Sequence, residues 1–185
     1  MVTTITRRLR KLALTLMDCS EGATGEQGRR PSLEWESMGS VSLSERSNIQ
    51  LRELFEYWSE RRGQRRMPAR ADIDPADIPK LLPHLLLADV DEQPADVRFR
   101  LVGTELVERF GGEFTGRRLS DLDYGSEADA VAESYAQVIR TGEPQFKISH
   151  FWTRDYRYLR IQHLLLPLSE DGKSVNMILA CVCNE

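Results

Sequence analysis

Residues 98–122 read RFRLVGTELVERFGGEFTGRRLSDL, and this stretch decides the fold. It opens in strand phase: Val97, Phe99 and Leu101 fall on one side, Arg98 and Arg100 on the other. Gly103 breaks the strand, and Thr104 caps a short helix, TELVERFG. Glycines follow at 111, 112 and 116. A phosphate-cradling loop would follow a strand and end in Lys-Ser/Thr, whereas this one follows a helix and runs into Arg117 and Arg118. The glycines therefore read as backbone geometry: Gly112 ends the helix and Gly116 turns the chain tightly. The whole segment reads as a small crossover above a sheet.

Toward the C-terminus, SEADAVAESYAQVIRTGEP is a helix with Ala128, Val131, Tyr135, Val138 and Ile139 on one side. Ser126 caps it, Gly142 ends it and Pro144 prevents re-entry. Three strands follow. Phe146, Ile148, His150 and Trp152 alternate against Lys147 and Ser149. Leu159, Ile161, His163 and Leu165 alternate against Tyr158, Arg160, Gln162 and Leu164. Val175, Met177, Leu179 and Cys181 mark the last strand, and turns at Arg154–Asp155 and EDG join the three as antiparallel hairpins.

Toward the N-terminus, LLLADV (85–90) is a strand that pairs with 97–103 through the linker DEQPAD. Pro75, Pro79 and Pro83 punctuate a short helical stretch that Asp74 caps. Before it, Leu51, Leu54, Phe55 and Trp58 form one apolar stripe of a leading helix. Ser42 and Glu45 offer a capping box at its start, and Gly63 stops it. The stripe packs either on its own domain or on a second copy of the same helix. The element order gives an α+β chain: a five-stranded antiparallel sheet with helices on one face and a leading N-terminal helix (42–63).

The 185 residues suit one domain with an appendage. A net charge of −4 with 29% charged residues gives no reason to expect nucleic acid. The basic cluster Arg61, Arg62, Arg65, Arg66 and Arg70 reads as a solvated helix end. Cys19, Cys181 and Cys183 have no metal-ligand spacing and read as reduced thiols in a cytoplasmic protein. The start TTITRRLRKLALTLM is basic and then apolar, but its apolar run is far too short to span a membrane. Residues 20–40 lack apolar periodicity and are rich in Gly, Ser and Glu, so 1–41 read as a poorly ordered extension, and Met38 is a candidate start. Membrane contact is not expected.

The segment 98–122 resembles the part of a PAS domain in which the second strand enters a short helix and then G-R-x-L-x-D-L, here Gly116, Arg117, Leu119, Asp121 and Leu122. A longer run, YWSERRG…MPARADIDPADIPKLLPHL, resembles a bacterial family of compact, mostly stand-alone PAS proteins. It carries Trp58, Arg61, Gly63, Pro68, Arg70, Asp72, Ile73, Asp74, Pro75, Leu82, Pro83 and His84, and the resemblance covers about residues 46–185. It implies a sensory and interaction module that binds small ligands between sheet and helices, or partners on the outer sheet face. It names no ligand or cofactor. The asparagine-cysteine-arginine motif of flavin-binding, light-sensing members is missing from the sequence.

The candidate ligand-facing residues are Phe99, Leu101, Phe110, Phe114, Arg117, Tyr135, Ile148, His150, Leu159 and His163, around either a packed core or a cavity. Arg117, with Tyr124, is placed to meet a carboxylate. His150 and His163 share the apolar phase of neighbouring strands. The candidate interface residues are Leu51, Leu54, Phe55, Trp58, Tyr158, Arg160 and Ile178. The sequence has no G-x-S-x-G, H-E-x-x-H or C-x-x-C motif, so an enzyme is not expected. The expected protein is a homodimeric sensor that signals to a partner protein, with an adaptor lacking any ligand as the alternative.

Overall fold

In the computed structural model the first hairpin joins β1 (Leu85–Asp91) to β2 (Asp96–Val102) in antiparallel register. The structure describes residues 43, 47–91, 96–122, 124, 127–152 and 158–184, with the side chains of 151, 152, 158 and 159 left aside. The extension 1–41, the capping box of Ser42 and Glu45, the Ser126 cap, the 92–95 linker and the Arg154–Asp155 turn lie outside the described residues. After β2 come α2 (Thr104–Phe110), a 3-10 turn at Leu119–Asp121 and α3 (Ala128–Thr141). The strands β3 (Gln145–Trp152), β4 (Tyr158–Leu168) and β5 (Met177–Asn184) complete one antiparallel sheet in the order β2-β1-β5-β4-β3. Ahead of the sheet, α1 (Ile49–Arg62) leads into three 3-10 turns.

Register assigns each residue to a face, because residues directly opposite on neighbouring strands share one. The inner face carries Phe99 opposite Ala88, Ala88 opposite Ile178, and His163 opposite both Val182 and Lys147. The helices α2 and α3 cover it, with Leu106, Val131, Tyr135 and Val138 buried. The outer face carries Leu85, Leu87, Leu164, Leu166, Leu179 and Cys181, all buried. The helix α1 covers that side: Leu51, Leu54 and Trp58 are buried, and the Trp58 indole N–H donates to the Pro167 carbonyl at 3.0 Å. The stripe of the leading helix therefore packs on its own chain: the helices α2 and α3 lie on one face of the sheet, as expected, and the leading helix covers the other.

Asn48 is the cap of α1, and its side chain accepts from the Gln50 amide at 2.9 Å. Asp74 caps the turn Pro75–Asp77 by accepting from the Ala76 amide. Gly111, at φ 73°, rather than Gly112, ends α2 in the left-handed conformation. Gly116 (φ 83°) makes the tight turn that returns the chain to β2, where the Phe99 amide donates to the Arg117 carbonyl and the Gly116 amide donates to the Phe99 carbonyl. A close approach at Gly103 has no signature in the sequence. A Cβ there would sit 2.3 Å from the Pro83 carbonyl oxygen, so glycine lets the LPH turn lie against the entry to α2.

Candidate functional site

The layer between the inner face and α2–α3 is built around Phe99. Its ring meets Phe114 edge-on at 5.2 Å and Tyr135 edge-on at 6.5 Å, and Phe110 meets Phe114 at 6.4 Å. Phe99, Phe114 and Tyr135 are buried and Phe110 packs against the same core. Burial pushes the Tyr135 and Tyr124 hydroxyls well above their ordinary range, the nearby Arg117 charge opposing this at Tyr124. Four of the expected ligand-facing residues and His163 thus share one layer.

One end of that layer is polar. Lys147 Nζ donates to Ser134 Oγ at 2.9 Å and to the Ala130 carbonyl at 3.2 Å. Ser134 itself donates back to that carbonyl at 2.7 Å. Beside them Ser149 Oγ lies 3.4 Å from His163 Nε2, both residues buried. Burial, and then the Lys147 charge, pull the His163 imidazole down to about 4, so it is neutral at pH 7. No ion pair to Lys147 occurs among the described residues. A half-buried ammonium, two hydroxyls and a neutral imidazole can hold the polar end of a small molecule. Among the described residues no cluster of His, Cys, Asp and Glu suits a metal ion.

Several expected placements are corrected. Leu101 is 45% exposed because the β1–β2 register slips between Leu87 and Ala88, leaving Arg100 as an extra residue. This bulge sends Leu101 to the outer face and Arg100 onto Asp89, with hydrogen bonds of 2.9 and 3.1 Å. Ile148 and His150 also lie outward, because Lys147 and Ser149, their neighbours in β3, pair with the inward His163 and Ile161. His150 and His163 are therefore on opposite faces. Arg117 is exposed at the rim and donates to the Asp121 carbonyl at 2.7 Å, so it does not enter the layer.

Ile178, expected on the outer face, is fully buried on the inner one. Leu51, Leu54 and Trp58 are occupied by their own sheet, with Phe55 half-buried and stacked on Trp58, so they form no free surface. Arg160 is exposed and outward. The side chains of Tyr158 and Leu159 lie outside those described. Sequence reasoning missed Lys147, Ser134 and Ser149. The available signal was the pair Lys147 and Ser149, two apart on a strand whose opposite phase is Phe146 and Ile148.

A cavity of about 480 Å³ opens elsewhere, between the far side of α1 and the turn after Asp77, lined by Glu53, Glu56, Tyr57, Glu60 and Leu81 among others. The arginines near it are neutralised in pairs: Arg61 with Asp77 at 2.6 Å and Arg65 with Asp72 at 2.8 Å. Among the described residues no helix is long and apolar enough to cross a membrane.

The family model for the PAS domain matches residues 46–183. Among solved structures, the chain is similar to the LOV domain of the blue-light activated histidine kinase EL346 from Erythrobacter litoralis, with 16% identity and a TM-score of 0.44 over 54% of this chain and 93% of that one. It is similar to the Rhodobacter sphaeroides LOV protein, with 12% identity and a TM-score of 0.45 over 60% and 68% of the two chains. It is also similar to the PAS-B domain of Drosophila melanogaster Cycle with bound ethylene glycol, with 14% identity and a TM-score of 0.42 over 54% and 99%. No curated protein matches the chain.

Proposed function

The chain belongs to the PAS domain family, and on that premise we propose that it is a non-enzymatic, cytoplasmic sensory module that binds a small molecule and passes the signal on by protein contact. The observation that carries this reading is the polar end of the inner layer. Lys147, Ser134, Ser149 and His163 gather in a core that is otherwise aliphatic and aromatic, at the cost of burying polar groups that hydrophobic residues would replace without penalty. A ligand held there touches β3, β4 and α3. Residues of β4 alternate between that layer and the face under α1, so a shift of the strand is felt by α1 and by the outer surface. The partner is a signalling protein, and homodimerisation uses the part of the outer face around Ile148, His150 and Arg160 rather than the α1 stripe.

Native mass spectrometry of the full chain tests both parts. The expected result is a dimer carrying a bound small molecule that denaturation releases and that Lys147→Met no longer retains. A bare monomer with no thermal shift across a panel of metabolites overturns the reading.

A further inference from the structure

Cys181 and Cys183 are separated by one residue on β5 and leave the strand on the same side, beneath α1. Their sulfur atoms are 3.6 Å apart. Cys183 also donates its S–H to Gln50 Oε1 at 3.1 Å, in the first turn of α1. The residue between them, Val182, accepts from Arg109 Nη1 through its carbonyl at 3.2 Å, which brings a cation alongside both thiols. The Cys181 hydrogen bond, assisted by the Arg109 charge against the effect of burial, holds the Cys183 thiol below its ordinary range. The Cys183 hydrogen bond and burial push Cys181 up. Once the first turn of α1 frays and Gln50 withdraws from Cys183, that sulfur is the one favoured as thiolate while its neighbour keeps the proton, the arrangement of an attacking and a resolving cysteine.

We propose that Cys181 and Cys183 are a reversible oxidation site, at which a hydroperoxide closes an intrachain disulfide and loosens the first turn of α1. The Cys183 thiolate attacks the peroxide, the O–O bond breaks, and the leaving oxygen takes up a proton as water or an alcohol. This leaves a sulfenic acid on Cys183. Cys181 sulfur then attacks Cys183 sulfur, the S–O bond breaks, and hydroxide leaves with the Cys181 proton as water. Two thiols are oxidised by two electrons and one peroxide is reduced.

Both thiols are buried, so the oxidant enters when the first turn of α1 frays. Cys183 lies next to the exposed Asn184, at the end of the strand where that fraying exposes it first. Two residues on one strand have Cα atoms about 6.8 Å apart, at the long end of what a disulfide spans. Closure therefore puckers the end of β5, and the oxidised Cys183 has no S–H left for Gln50. Asn48, which caps α1, donates its side-chain amide to the Asn184 carbonyl at 3.2 Å, so the pucker reaches the cap as well. The site lies on the opposite face from the ligand layer and does not depend on a ligand.

The test treats the full chain, in a Cys19→Ser background, with hydrogen peroxide. The expected product has lost two hydrogens, resists alkylation at both thiols until dithiothreitol is added, and exchanges the amides of residues 51–54 about tenfold faster. In Cys181→Ser the reaction stops at one added oxygen that dimedone traps on Cys183, and in Cys183→Ser it slows by about tenfold or more. Oxygen adducts without loss of two hydrogens, or thiols that react only after denaturation, overturn the site. Equal rates in Cys183→Ser overturn the assignment of the attacking sulfur. A disulfide that leaves the exchange of α1 unchanged overturns its coupling to the helix.

Discussion

The two faces of the sheet are buried by different means and carry different chemistry. The inner face meets α2 and α3 through crossed aromatic rings and ends in an ammonium, two hydroxyls and a neutral imidazole. The outer face meets α1 through aliphatic side chains, one tryptophan, two thiols and a buried carboxamide, Gln162, which the Asn48 amide satisfies. A polar group buried on the inner side has a cost that calls for a function. An aliphatic interface needs no such explanation, and there α1 serves as a cover whose firmness depends on a few anchors. The comparison separates a binding layer from a covering layer, and each can be broken on its own.

The heaviest anchor is Trp58. It is 1% exposed, bonded to the Pro167 carbonyl, stacked with Phe55 and overlaid by the Arg62 guanidinium. Trp58→Ala is expected to lower the unfolding free energy by about 3–5 kcal/mol, read from urea denaturation. A cost near that of a surface substitution would mean that α1 is not part of the folded core.

The inner face is broken by acid instead. His163 is neutral when folded, with its pKa lowered from 6.5 to about 4, while the unfolded chain protonates at the ordinary value. Its contribution is therefore fully present above pH 6.5 and is lost as the pH falls from 6.5 toward 4, because the unfolded state takes up the proton first. The loss approaches about 3 kcal/mol. His163→Gln is expected to flatten the denaturation midpoint over that window. Lys147→Met removes the lesser of the two causes, so the imidazole pKa rises but stays below 6.5, as an NMR titration of the ring would report.

The comparison also explains what the sequence could show. Helix α3 was legible because a single stripe is buried, and Val131, Tyr135 and Val138 all lie in it. The order of strands and the crossover at Gly116 were legible from turn chemistry. Strand phase on β3 and β5 was not. Alternation reveals a face only when the other face is wet, and here Met177, Leu179 and Cys181 are buried under α1 while Ile178 and Ala180 are buried under the inner helices. On β3 the pattern is inverted instead: the exposed outer phase carries the apolar Ile148 while Lys147 and Ser149 turn inward, against what their polarity suggests. The seating of α1 depends on the contacts of Asn48 with Gln162 and Asn184, which are more than a hundred residues away and invisible to local pattern.

Asn48 sharpens the outer side further. Its carboxamide oxygen caps α1, and its backbone amide donates to Gln162 Oε1 at 2.8 Å. Asn48→Ala keeps the backbone bond and removes the cap, so the expected cost is about 1 kcal/mol, with faster amide exchange confined to the first turn of α1. Exchange that rises equally in α3 would show that the two covers unfold together and that the faces are not separate units.

The smallest expected effect lies where the outer cover runs out. Leu101 and Phe99 are two apart on β2 and would share a face on a regular strand. The extra residue at Arg100 parts them, with Phe99 at 1% exposure under α3 and Leu101 at 45% beyond the reach of α1. Leu101→Ser is therefore expected to change stability by no more than about 0.5 kcal/mol, while Phe99→Ala costs about 3–5 kcal/mol. Thermal denaturation of the two variants decides between a bulged and a regular strand. A regular β2 would turn both side chains inward and make Leu101→Ser nearly as costly as Phe99→Ala, whereas the bulge keeps the two costs several kcal/mol apart.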